Sequence, residues 1–123
     1  MSNTLEQSLH EKQTLAFINA FPSTVVFVRT SQVPDGAGGT KDGPVTYMPR
    51  QVVRVIGLDT HPVPITRTQS DGREVTIVYG VVCKLDADVE ELDTFEWNSR
   101  SYRVVTKQQV PPWRTYLEVT NVG

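Results

Sequence analysis

Asp86–Val105 reads DADVEELDTFEWNSRSYRVV, and its alternation decides the fold class. An acidic turn opens it, with Asp86, Asp88, Glu90, Glu91 and Asp93 supplying five carboxylates in eight residues. A short strand follows with Phe95 and Trp97 on one face, then a polar connection through Asn98, Ser99 and Arg100. The second strand sets Tyr102 and Val104 on one face and Arg103 and Val105 on the other. Two period-two runs across a three-residue polar connection read as a β-hairpin. Its aromatics are expected to seal one end of a small β-core.

The segment before the hairpin extends that core. From Arg73 to Leu85, Val75, Ile77, Tyr79, Val81, Cys83 and Leu85 share a face without a polar interruption, which predicts the longest and central strand. Gly80 within it predicts a bend or bulge. Thr24–Arg29 (TVVFVR) is apolar on both faces and predicts a strand covered on both sides, 45–58 contains another, and 115–122 gives the last. At the N-terminus, Thr4 and Gln7 fit a capping box, Pro22 stops a helix at about Ala20, and Leu5, Leu9, Ala16 and Ala20 form an apolar stripe. Leu15, Phe17, Ile18 and Phe21 add apolar groups around its last turns, so the domain or a neighbouring subunit must enclose them.

Two stretches rich in Gly, Pro and polar residues separate these elements. Residues 31–43 (SQVPDGAGGTKDG) hold four glycines and a proline, which predicts a loop without regular structure. Residues 59–72 (DTHPVPITRTQSDG) predict a second long loop. The expectation is a mainly β fold: a small antiparallel β-barrel or sandwich of one domain, residues 1–123, with an N-terminal helix over 1–21 and a β-body over 23–122.

Composition limits function. At 123 residues and net charge −2 the chain has one core and no electrostatic footprint for wrapping nucleic acid. It contains no apolar run of membrane-spanning length and no signal-peptide pattern, so a protein made in a cytoplasm without membrane contact is expected. A single cysteine, Cys83, excludes an intramolecular disulfide, and no Cys/His spacing suggests zinc. The glycines at 36–43 form neither a Walker loop nor a dinucleotide fingerprint. His10 and His61 lie far apart with no nucleophile beside them, so no catalytic set, metal or cofactor is expected.

The order Asp86-Ala87-Asp88-Val89, then Asp93-Thr94-Phe95, an aromatic, a polar turn and Tyr102-Arg103-Val104-Val105 resembles the C-terminal signature of head-to-tail stopper (head closure) proteins of long-tailed phages, especially those of actinobacterial hosts. The segment Glu11-Lys12-Gln13 through Ala16-Phe17-Ile18 and the Pro34–Gly39 loop are similar to that family too. The family often has Gly where this chain has Leu92, and Asp-Gly or Gly-Gly in the turn that here is Asn98-Ser99-Arg100.

The resemblance implies a virion neck protein that forms a ring, commonly a hexamer, beneath an adaptor and above a tail terminator. Such a ring closes the portal channel after packaging, with DNA a neighbour by proximity only. The family closes the channel with a loop projected into the lumen. Of the two loops here, 59–72 is favoured, with His61, Arg67, Asp71 and Arg73 as lumen candidates. Asp35, Lys41 and Asp42 would then meet the adaptor or a neighbouring subunit. Phe17 and Ile18, and the acids Asp86 and Asp88 opposite Arg50, Arg54 or Arg103, are the expected subunit contacts. The alternatives are a tail terminator or adaptor of the same neck, or a small β-barrel that binds single-stranded nucleic acid. The last would need bases interleaved with exposed aromatics, whereas Phe95 and Trp97 alternate with Thr94 and Glu96.

Overall fold

The computed structural model describes residues 4–58, 64–69, 72–109 and 112–122. The helix α1 (Thr4–Ala20) precedes ten strands: β1 (Ser23–Val25), β2 (Val28–Pro34), β3 (Thr40–Tyr47), β4 (Gln51–Gly57), β5 (Ile65–Thr68), β6 (Glu74–Ile77), β7 (Tyr79–Cys83), β8 (Thr94–Trp97), β9 (Arg100–Gln108) and β10 (Thr115–Asn121). Eight of them form one antiparallel sheet in the order β1-β4-β7-β10-β9-β8-β2-β3, curled into a half-barrel. β5 and β6 form a separate two-stranded ribbon. The expected mainly β architecture with one N-terminal helix is what the chain adopts.

The concave face holds the core. Val25, Phe27, Val53, Val81, Cys83, Phe95, Tyr102, Val104, Leu117 and Val119 pack there, and Ala87 and Val89 of the 86–93 turn join them. Phe27 meets Phe95 edge-on at 5.3 Å, and Tyr79 meets both Trp97 and Tyr102 edge-on. The hairpin aromatics thus turn inward, as the alternation predicts. The curl brings β1 towards β8, where Trp97 Nε1 donates to Ser23 Oγ at 3.0 Å. β2 joins β8 through a single rung, Val28 opposite Thr94, so the β2–β3 ribbon runs on past the closure.

Several strands are shorter than the sequence pattern suggests. The run from Thr24 to Arg29 divides at 26–27, because β1 pairs with β4 on one side of the bend and β2 with β3 beyond it. Pro49 lies between β3 and β4 rather than inside a strand. The 73–85 run breaks at Val78, whose N–H bonds Val119 O while β6 turns away to pair with β5. Gly80 causes no bend: it sits in regular register between Ile56 and Glu118, and a Cβ there would collide with the Tyr116 ring. The bulge falls at Val105, where the β9–β10 register slips between Glu118 and Val119. The hairpin connection has two residues, not three, since Trp97 pairs directly with Arg100. Asn98 (φ 51°) and Ser99 (φ 64°) supply the left-handed pair that a type I′ turn requires.

Both long loops are largely hairpins. Within 31–43, Pro34 ends β2 and Thr40 begins β3, leaving 35–39 as the tip. Gly36 and Gly38 have positive φ at that tip, whereas Gly43 lies within β3 because a Cβ would press on Val33 and Ser31. Glycine here marks close approach as well as a turn. Within 59–72, Ile65–Thr68 is β5, while His61 and Asp71 lie outside the described residues.

α1 lies against β4, with Thr14 and Ile18 buried. Ala16 and Ala20 are two residues either side of Ile18, about 200° round the helix, and Leu9 falls on the same outer side. The predicted stripe therefore faces away from the sheet, and Leu9, Ala16 and Ala20 are exposed. The side chains of Thr4, Leu5 and Gln7 lie outside the described set.

Candidate interaction surface

The acidic turn is built around a residue the sequence did not single out, Arg29 on β2. Its Nε and Nη2 donate to Asp93 Oδ1 and Oδ2 at 3.0 and 2.9 Å, a two-pronged pair that the planar guanidinium suits. Asp93, only 1% exposed, also accepts the Glu90 N–H at 2.9 Å. Hydrogen bonding to Asp93 raises the Arg29 pKa above its ordinary value, and the charges of Asp93, Glu90 and Asp88 act in the same sense. Asp88 approaches the same guanidinium at 3.5 Å and Glu90 at 4.0 Å, both largely solvated. Asp93 is thus a structural anchor, while Asp86, Asp88 and Glu90 remain exposed. A basic residue closing an otherwise apolar strand, TVVFVR, was the available signal for Arg29.

The backbone is shaped to place that carboxylate. Leu92 has φ 73° and donates its N–H to Val104 O at 2.8 Å, and Val104 N–H returns to Asp93 O at 2.8 Å. A left-handed leucine is strained, by roughly 1–2 kcal/mol.

The other expected contacts divide into those used within the chain and those left outside. Ile18 is consumed by the chain's own packing and does not reach a neighbour, at 1% exposure. Arg54 stacks over Phe17 at 3.9 Å, lies 5.0 Å from the Phe21 ring and donates to Phe17 O, so it fastens α1 rather than standing on an open face. Arg50 precedes β4, so strand alternation does not place it beside Arg54. Arg103 pairs across to Thr94 and Thr120 and is half-buried. Asp86 is exposed and 3.8 Å from Lys84. Phe17 remains partly open, and Phe21 is 71% exposed.

Arg67, expected on a projecting loop, is tied down. Its guanidinium grips Glu118 on β10 at 2.9 and 3.2 Å, and Thr106 Oγ1 donates to the same carboxylate at 2.9 Å. Thr120 Oγ1 also donates to Thr76 O at 2.7 Å, fixing β6 across the convex face. Arg73 is exposed, beside the turn closed by Gln69 N–H to Arg73 O. By contrast, the β2–β3 ribbon has exposed residues along almost all of β3. Its tip is shaped by Asp35, whose Oδ1 accepts the Ala37 and Gly39 N–H groups, which hold its carboxyl below the usual range. Asp42 takes a hydrogen bond from Gln32 at 2.8 Å, and Lys41 is exposed opposite Val33.

The convex face carries the largest groove, about 490 Å³, between β1–β2 and β8. Thr24, Val26, Val28, Tyr47, Thr94, Glu96 and Ser101 line it, over Val25 and Phe95. Glu96 is its one charge. Among the described residues no group of three or more His, Cys, Asp or Glu converges as a metal site, and no helix is long and apolar enough to cross a membrane. No family model matches the chain, and no curated protein matches it.

Proposed function

We propose that the chain is a head-to-tail stopper of a long-tailed phage neck: a ring subunit that closes the portal channel after packaging and offers the tail its docking surface. The reading rests on the resemblance in the 86–105 signature, and one observation carries it further. Leu92 and the Asn98-Ser99 turn are where this chain departs from the family's glycines, and all three residues have positive φ. The backbone there has the conformation that a glycine would favour. The signature therefore corresponds to a local geometry, even where its letters differ.

The two hairpins then take different roles in the proposal. With β5 and β6 fastened to β10 through Arg67 and Thr76, the ribbon free to reach into a channel is β2–β3, led by its Asp35-organised tip. That reverses the preference for the 59–72 segment. The ribbon's few charges, Asp35, Lys41 and Asp42, suit a plug that obstructs DNA without holding it. The single-strand-binding alternative is disfavoured, because Phe95 and Tyr102 are buried in the core rather than offered to bases.

The test is electron microscopy, with DNA content, of particles made by a phage lacking this gene. Tailless heads that lose DNA, beside free tails of normal length, support a stopper. Irregular tails beside stable full heads point to a terminator, and infectious particles refute a neck role.

A further inference from the structure

Alternation along the bend places Thr24, Val26 and Val28 on the convex face, since Val25 and Phe27 are buried in the core. Ladder pairing extends that face: Thr24 lies opposite Val52, Val28 opposite Tyr47, and Thr30 opposite Val45. The chain covers two other parts of its convex surface, with α1 on β4 and the β5–β6 ribbon at β10. The part between them is bare. Val52 (46% exposed), Tyr47 (74%) and Val45 (48%) form a band across it, with Val26 and Val28 beside the 490 Å³ groove. An exposed apolar band beside a groove, on a small domain, marks an interaction site.

The occupant is indicated by the other bare apolar surface. The outward stripe of α1 presents Leu9 (54% exposed), Lys12, Ala16 and Ala20, and Lys12 is the one charge in that row. Glu96 is the one charge in the groove. A convex ridge with small residues and a single cation thus matches a concave apolar groove with a single anion. The stripe faces away from the sheet of its own chain, so the match is made between copies.

We propose that the groove between β1–β2 and β8 receives α1 of a second copy of this chain, with Leu9 and Ala16 seated in it and Lys12 facing Glu96. This deepens the ring-forming part of the function proposed above. One patch meets a different patch, so the contact is heterologous and each copy retains a free groove and a free helix for the next. A nucleic-acid strand is the poorer occupant, because the groove's only charge repels phosphate.

The test is disulfide trapping in the full chain. Lys12→Cys and Glu96→Cys are both surface changes, and the native Cys83 is buried and will not compete. Under mild oxidation at high concentration, K12C/E96C is expected to give a ladder of dimer, trimer and larger species on a non-reducing gel. A mixture of the two single variants should stop at a dimer, and Tyr47→Asp should suppress both products. Absence of a ladder in protein with a native melting curve overturns the proposal. So does self-linking of K12C alone, which would mean helix against helix. The outcome is separable from the phage phenotype: tailless heads without a ladder leave the stopper reading standing, and a ladder with infectious gene-deleted particles leaves only the assembly contact.

Discussion

Replacing Asp93 with Asn should unfold the chain more readily than any change among the exposed acids of the same turn. The carboxylate is buried and accepts three hydrogen bonds, two from Arg29 and one from the Glu90 N–H. An amide can present only one carbonyl oxygen, and its NH2 would face a guanidinium donor. Breaking a fully buried pair costs about 3–5 kcal/mol. Here the Arg29 side chain is 29% exposed and keeps Asp88 and Glu90 within reach, so the loss should be about 2–3 kcal/mol. For a domain of this length that lowers Tm by about 10 °C. Urea titration followed by circular dichroism measures it, with Asp88→Asn as a control expected to cost under about 0.5 kcal/mol. A loss for Asp93→Asn no larger than the control's would refute the view that this pair anchors the turn. The refutation would be complete if a double-mutant cycle with Arg29→Gln showed no coupling.

Three further outcomes follow from local geometry. Ser99→Gly should stabilise by about 0.5–1 kcal/mol, since Gly relieves a left-handed serine in the type I′ turn, and the urea midpoint reads it directly. Gly80→Ala should destabilise by about 1–3 kcal/mol through the Tyr116 ring, and adding Tyr116→Ser should recover part of that loss if the clash is its cause. Burial pushes the Cys83 thiol up to about 12, so a chromogenic disulfide should label it only after unfolding. Because the folded value lies above the unfolded one of about 8.5, the contribution is intact below about pH 8.5 and is lost as pH rises towards 12. Stability should therefore fall more steeply over that range in the wild type than in Cys83→Ala.

The strand pairs were legible in the sequence where alternation was uninterrupted. Phe95, Trp97 and Tyr102 announced an inward face, and Val81 and Cys83 announced the strand that lies inside the sheet. The ribbon β2–β3 was hidden because Gly43 and Pro34 carry the composition of a loop, yet the first allows close packing and the second ends a strand. The helix misled for a different reason. Leu9, Ala16 and Ala20 make a clear stripe, but the side chain that docks is Ile18, supported by Thr14, by His10 stacked on Trp113 and by the Arg54 cap on Phe17. Periodicity shows that a stripe exists and not which partner covers it. Arg29 and Asp93 lie 64 positions apart, so no local pattern could pair them, and Arg67 with Glu118 escaped in the same way.

The neck assignment is tested most directly by a cryo-electron microscopy map of the intact virion of the phage that encodes this chain. The account predicts a ring of half-barrels at the head–tail junction, between adaptor and terminator, with β2–β3 ribbons directed at the channel axis. A junction without this fold, or its placement elsewhere in the particle, would contradict it.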